Sequence, residues 1–237
     1  MMATKKRVLL KLTGEIFLDS ENHQLTATRI KNLIGQIKQL HNDYQFGIVI
    51  GGGNFFRGNQ HGKQVGISPW CSHQIGMLAT MLNGLMINDI CKQETVSSEV
   101  FSAIECSAVG KPINHANIVS SLKEGKTVIF VGGTGNPFFT TDTNAVLRAL
   151  QMEADMIWKG TNIDGVYNAN PHRDPSATLL KKLTYNEAIK NNLAIMDTTA
   201  FILASQQNLT IRVFDINTEQ ALLQAAKHSD FGSTIHT

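Results

Sequence analysis

The chain has little of several things that would have narrowed its class at once. Among its 237 residues are three cysteines, Cys71, Cys91 and Cys106, an odd number with no C-x-x-C spacing. That count argues against a disulfide framework and against a structural zinc site. Cys71 and His73 lie close together, but the pair lacks the remaining ligands of a metal centre, and no metal-ligating residue is assigned. With five prolines, no low-complexity stretch and no internal repeat, disorder and repeat architectures are set aside. Long apolar runs are missing too. The first, Val8 to Leu12, is broken by Lys11 and is far shorter than the roughly 20 residues of a membrane span or a secretory signal core. Charge of one sign is also scarce: the net charge is +2 and the 21 basic residues are scattered, so there is no strong signal for nucleic-acid binding. A cytoplasmic protein with reduced, mostly buried thiols is the expectation.

What is present is an ordinary globular composition, 42% hydrophobic and 17% charged, enough for a sizeable core in one domain spanning 1–237. Apolar runs rich in β-branched residues recur at 7–12, 46–50, 127–131, 155–159 and 211–216, with helical patterns between several of them. Such alternation predicts an α/β fold, a mainly parallel central sheet in a three-layer α/β/α sandwich. Ile30, Leu33, Ile34, Ile37 and Leu40 recur at helical spacing after Thr26 or Thr28 as N-cap. Ile75, Leu78, Leu82, Leu85 and Met86 read as a second core-facing stripe, and Ala145, Leu147, Ala149, Leu150 and Met152 as a third. Residues 57–70, rich in glycine and polar side chains, read as a mobile surface loop near a site. Helices are expected over 197–207 and 219–228, and a closing strand over 233–236.

Chemistry concentrates at four strand ends, and open α/β sheets bind ligands beyond the carboxyl ends of their strands. Lys11 closes an apolar strand before Leu12, Thr13 and Gly14; it is either a lysine reaching out at the sheet edge or, preferably, an anion partner. Gly51, Gly52 and Gly53 with Arg57 offer N–H donors and a bidentate cation to a phosphate, without the residues of a Walker A or dinucleotide fingerprint. Val131 to Asp142, VGGTGNPFFTTD, combines glycines with directional donors, two phenyl rings and a carboxylate. It suits a phosphorylated, flat-ringed ligand, although Asp142 alone would pass for a helix cap. Lys159 repeats the oddity of Lys11 and leads into Thr161, an Asp164-Gly165 turn and Tyr167, whose ring can stack on a base. Two lysines and an arginine around one crevice fit a molecule with several phosphates and a transition state of dispersed negative charge.

Together LLKLTGE, VIGGGNFFRG, IGMLATMLNGL, GTGNPFFTTD, KGTNIDGVYNANP, MDTTAF and IRVFDIN resemble the bacterial uridylate kinase family of the amino-acid-kinase superfamily, over essentially the whole chain. The resemblance implies the amino-acid-kinase fold and ATP + UMP → ADP + UDP with Mg²⁺ in pyrimidine nucleotide synthesis. It also implies a cytoplasmic homohexamer open to UTP inhibition and GTP activation. Carried over by motif, Lys11, Leu12, Thr13, Gly14, Gly53, Arg57, Thr161, Tyr167 and Asn170 lie on the ATP side. Gly52, His73, Thr134, Gly135, Asn136, Pro137, Phe138, Phe139, Thr140 and Thr141 lie on the UMP side, the N-terminal part of the chain holding mainly UMP and oligomer contacts and the C-terminal part mainly ATP. Lys11, Asp142 and Lys159 organise transfer. Four departures stand out: His73 where the family has an Asp that contacts ribose, Asn170 and Asn162 where it has Asp and Lys, and FLDSENHQ at 17–24 in place of a glycine-rich stretch tied to GTP activation. The other readings are a superfamily kinase with a different acceptor, or a nucleotide sensor or molybdate/tungstate-storage-like protein on the same scaffold.

Overall fold

The structure, a computed structural model, describes residues 5–237 except 20, 172 and 194, and for Asn59 the backbone alone. In chain order the elements are β1 (Lys6–Leu12), a short 3-10 helix (Gly14–Phe17), α1 (Thr28–Leu40), β2 (Tyr44–Ile50), α2 (Gly58–Val65) and α3 (Pro69–Gln93). Then come β3 (Ser98–Ser102), β4 (Lys111–Pro112), α4 (His115–Lys123), β5 (Thr127–Val131), α5 (Thr141–Gln151) and β6 (Met156–Thr161). A small hairpin, β7 (Val166–Tyr167) and β8 (Leu179–Leu180), precedes β9 (Lys182–Thr184) and α6 (Tyr185–Lys190). The chain closes with α7 (Thr198–Gln206), β10 (Thr210–Asp215), α8 (Ala221–Lys227) and β11 (Ser233–His236).

One nine-stranded sheet, ordered β4-β3-β5-β2-β1-β6-β10-β11-β9, runs through the chain. It is parallel except where β11 pairs antiparallel with β10. Strands buried on both faces need apolar residues at every position, which is why β1, β2, β5 and β6 read as continuous apolar runs. The pleat divides them. Val8, Leu10 and Leu12 of β1 pack with α1, α3 and α8, whereas Leu9 of β1, Val49 of β2 and Ile157 of β6 pack with α4, α5, α6 and α7. By the same two-residue period, Lys11 and Lys159 face α5.

Several expectations need correction. Residues 57–70 are largely helical: α2 ends at Gly66 in the left-handed region (φ 69°) and packs along α3, its lack of an apolar stripe having hidden it. Helix α1 starts after Ala27, which makes no side-chain cap, and Thr26 instead accepts from the Thr28 N–H. Only Cys91 is fully buried; Cys71 and Cys106 are half-buried. The largest reversal is on α3, where Leu78 and Leu82 are 51% and 50% exposed and Leu85 is exposed as well. The buried face carries Ala79, Asn83, Gly84, Ile87 and Cys91 instead. Helix and strand ends approach so closely there that a Cβ on Gly52 would lie 2.7 Å from the Ala79 Cβ, so the contact face takes small residues and the leucines turn outward.

Candidate active site

The four unusual strand ends belong to β5, β2, β1 and β6, four contiguous strands of the sheet. Lys11 and Lys159 are register partners across β1 and β6. Between their ammonium groups stands Asp142, in the first turn of α5: Lys11 Nζ is 2.9 Å from Oδ1 and Lys159 Nζ is 2.8 Å from Oδ2. Lys159 Nζ also donates to the Ile195 carbonyl at 2.6 Å. Burial opposes ionisation of Asp142, but the two lysines outweigh it and hold the carboxyl below its ordinary value. Lys159 is shifted down, first by burial and then by Lys11, against the pull of Asp142 and Asp197. The Asp142 carboxylate thus keeps two cations together that would otherwise repel.

On one side of this cluster lies a cleft of about 440 Å³, lined by the glycine loop after β2, the start of α3 and the 133–144 segment. Asn83 of α3 fixes that glycine loop, its Nδ2 donating to the Gly51 carbonyl at 2.7 Å and to Asn54 Oδ1 at 2.8 Å. Gly132, Gly133 and Gly135 take positive φ of 75°, 58° and 80°, which lets the backbone after β5 turn back without a Cβ clash. Arg148 of α5 secures the turn through a 2.9 Å bond to the Gly133 carbonyl; its burial pushes the guanidinium pKa down to about 10. The N-cap of α5 is Thr140, which accepts from the N–H groups of Asp142 and Thr143, so Asp142 is free of that duty.

On the other side a pocket of about 490 Å³ is lined by Lys159, Thr161, Tyr167, Asn170, Leu193, Ile195 and Val213, among others. Its rim is the β6 exit and the β7 hairpin, where the Tyr167 hydroxyl donates to Asp164 at 2.7 Å. One cavity is thus lined by Lys159 of the cluster itself, and the other by Thr141, the residue before Asp142. Such an arrangement binds two polar ligands end to end and offers positive charge where they meet.

The sequence model of the amino acid kinase family matches residues 6–215. The chain belongs to the amino acid kinase family. Relatives within that family include a uridylate kinase of Pseudoalteromonas atlantica, 42% identical over 231 residues, which are 97% of this chain and 93% of the relative. Another is a uridylate kinase of Bacteroides thetaiotaomicron, 39% identical over 236 residues, 99% of this chain and all of the relative. Among solved kinases of the same fold, the UMP kinase from Ureaplasma parvum gives a TM-score of 0.94 at 31% identity, covering 99% of this chain and 100% of that one. The UMP kinase from Bacillus anthracis gives 0.92 at 32% identity, covering 98% and 96%.

With this kinase architecture, the residues expected from sequence fall as follows. Gly52, His73, Thr134, Asn136, Phe139, Thr140 and Thr141 line the first cleft, and Gly53, expected on the ATP side, lines it too. Gly135, Pro137 and Phe138 do not line it; Phe138 is mostly exposed at φ 70° with its ring 5.1 Å from that of His73. Thr161, Tyr167 and Asn170 come together in the second pocket. The Leu12 side chain belongs to the core, leaving its carbonyl to accept from Gly51 N–H. Thr13 caps the 3-10 helix, and the Arg57 side chain pairs with Glu15. Sequence reading missed Asp197, the N-cap of α7, which accepts hydrogen bonds from the Thr140 and Thr143 hydroxyls. It also missed Asn83, Arg148 and Asn144. In sequence MDTTAF shows only a motif and a helix start, and nothing local shows that its Asp reaches α5, 54 residues back.

Proposed function

We propose that the protein transfers the γ-phosphoryl group of ATP to UMP, giving ADP and UDP. The observation that carries this reading is the Lys11–Asp142–Lys159 cluster, with Lys159 lining one cavity and Thr141, next to Asp142, lining the other. In it, ATP takes the pocket of Thr161, Tyr167 and Asn170 and directs its phosphates towards Lys11, Gly14 and Lys159. UMP takes the cleft of Thr134, Asn136, His73 and Thr141. No general base is required, because the second pKa of a phosphate monoester is about 6 and the attacking oxygen is already anionic at neutral pH. Lys11 and Lys159 neutralise the oxygens of the moving phosphoryl group, and Asp142 holds the two lysines together against their repulsion. Among the described residues no group of three His, Cys, Asp or Glu side chains is set to hold a metal ion, and Asp142 is taken up by the lysines. With Asp142 so engaged, Mg²⁺ would be held mainly by the ATP phosphates.

Names and folds of the relatives support UMP over another acceptor. The test is a coupled ADP-release assay with UMP, CMP, AMP and acetylglutamate as separate acceptors, run with and without UTP and GTP. Turnover confined to UMP is expected, with UTP competing at the acceptor cleft through its uracil and ribose. ATP binding without turnover of any acceptor would instead support a sensor or storage protein.

The same reading includes a cytoplasmic homohexamer. Among the described residues no helix is long and apolar enough to cross a membrane. A second copy is the favoured partner for the exposed face of α3, with Trp70, Leu78, Leu82 and Leu85, since fully burying one leucine is worth about 1.5–3 kcal/mol. Leu82→Glu should lower the mass measured by light scattering to that of a smaller assembly; an unchanged mass would remove α3 from the interface.

A further inference from the structure

Asn144 is an anomaly among the polar residues of the acceptor cleft. It lies on α5 one turn beyond Thr141, so both project from the same side of the helix, and it lines the cleft together with Ile50, Gly52, Thr80 and Thr141. Only 2% of the residue is exposed, yet its Oδ1 is completely buried without a hydrogen-bond partner. Its amide nitrogen has none among the described residues either; its backbone N–H donates to the Thr140 carbonyl at 3.1 Å. Thr80, on the same cleft, has no proton to give to Oδ1, because its Oγ1 already donates to the Met77 carbonyl at 2.7 Å; it also accepts from Gly132 N–H at 2.9 Å. Buried carboxamides are normally satisfied, and leaving one unpaired costs stability. A neutral amide kept at that cost beside a ligand cleft is a group waiting for its partner.

We propose that the Asn144 carboxamide binds the phosphate of the acceptor, as a donor additional to Thr141 and the glycine loop. This rests on the reading of the first cleft as the nucleoside monophosphate site. The position favours the phosphate over the base or sugar, because Asn144 shares its side of α5 with Thr141. There Thr141 Oγ1 adjoins the glycine loop, 3.5 Å from where a Cβ on Gly51 would sit. Thr134, Asn136 and His73 line the cleft as the more selective donors for base and ribose. Nδ2, an N–H donor with no protein partner among the described residues, can serve an anion, which the acceptor Oδ1 cannot. The residue type is selective as well: an aspartate of the same shape would repel a phosphate, and an alanine would offer it nothing.

The experiment compares wild type, Asn144→Ala and Asn144→Asp by calorimetric titration with UMP, by UMP steady-state kinetics and by thermal unfolding without ligand. Loss of one hydrogen bond to a charged group predicts about a tenfold weaker UMP affinity for the alanine variant, with kcat nearly unchanged. The aspartate variant should be weaker still. The ligand-free alanine variant should unfold no earlier than wild type, because an unpaired buried amide has been removed. Unchanged UMP affinity in Asn144→Ala, equal affinity in the two variants, or a lowered unfolding temperature for Asn144→Ala would each overturn the proposal. A wild type that binds UMP without phosphorylating it would remove the proposed reaction and leave the Asn144 contact standing.

Discussion

Asp142→Asn keeps the shape of a side chain and removes one charge, which makes it the sharpest probe of the lysine cluster. In the native protein that charge lies within 2.9 Å of both ammonium groups, and the Asp142, Lys11 and Lys159 side chains are 17%, 15% and 10% exposed. After substitution, two cations on register-paired residues of adjacent strands face each other with no counter-charge. Breaking a buried ion pair from one side costs on the order of 3–5 kcal/mol. The folded variant can shed part of this by releasing a proton from Lys159, whose proton affinity burial and Lys11 already lower. Its folded pKa then falls further below the unfolded one. Between the two the unfolded chain holds more protons, so stability rises with pH. The deficit against wild type should therefore be largest near neutrality and narrow as the pH rises through the folded pKa of Lys159.

Urea unfolding at several pH values measures that deficit, and the coupled assay measures turnover, which should fall by about 10²–10³. The double variant Asp142→Asn/Lys159→Met supplies the control. Removing the second charge relieves the repulsion, so much of the lost stability returns while turnover stays low. A single variant within about 0.5 kcal/mol of wild type at neutral pH, or a deficit independent of pH, would refute the electrostatic argument.

The remaining tests probe neighbours of that cluster. Asp197→Ala frees the Thr140 and Thr143 hydroxyls and uncaps α7, a cap being worth about 0.5–2 kcal/mol. The KM for UMP should rise more than that for ATP, and equal rises would dissociate Asp197 from the acceptor segment. The Lys11 and Lys159 charges keep Asp142 ionised below the usual carboxylate range, so the acid limb of kcat/KM for UMP belongs to the acceptor phosphate, near pH ~6. A UMP analogue with a different second phosphate pKa should move that limb, and one that stays in place would point to a group on the enzyme. On the alkaline side burial and Lys11 bring Lys159 below the ordinary lysine range, and Lys159→Arg should push that limb upward.

Strands that lie in the middle of the sheet were legible because both of their faces are buried: β5 is buried at all five positions and reads as one apolar word. Most strands on the flanks were not, β11 being the exception. β3, SEVFS, is buried only at its last three residues, and β8 and β9 are two and three residues long, set by pairing with distant segments rather than by their own composition. On α3 the error had a different source. Periodicity reports that a face is apolar, but this helix is apolar on more than one side, and the choice between them depends on how close the glycine loop comes.

The same distinction explains which parts of the site could be read. Lys11 and Lys159 announce themselves, since a lysine at the end of a buried strand conflicts with its surroundings and calls for a partner, and Asp142 stands out by its company. Asn83, Asn144 and Asp197 sit in helices or at a helix start, where polar residues conflict with nothing. Asn83 is 0% and Asn144 2% exposed, and neither value follows from local spacing. Whether such a residue is useful depends on what surrounds it in space: Asn83 finds the Gly51 carbonyl and Asn54, and Asp197 finds two hydroxyls of α5 and its N-cap. Asn144 finds no protein partner for its Oδ1. The first two are explained by the protein itself, as supports for the glycine loop and the acceptor segment. The third is explained only by something the cleft is built to receive, which is why the least conspicuous of the three in sequence carries the most specific statement about the ligand.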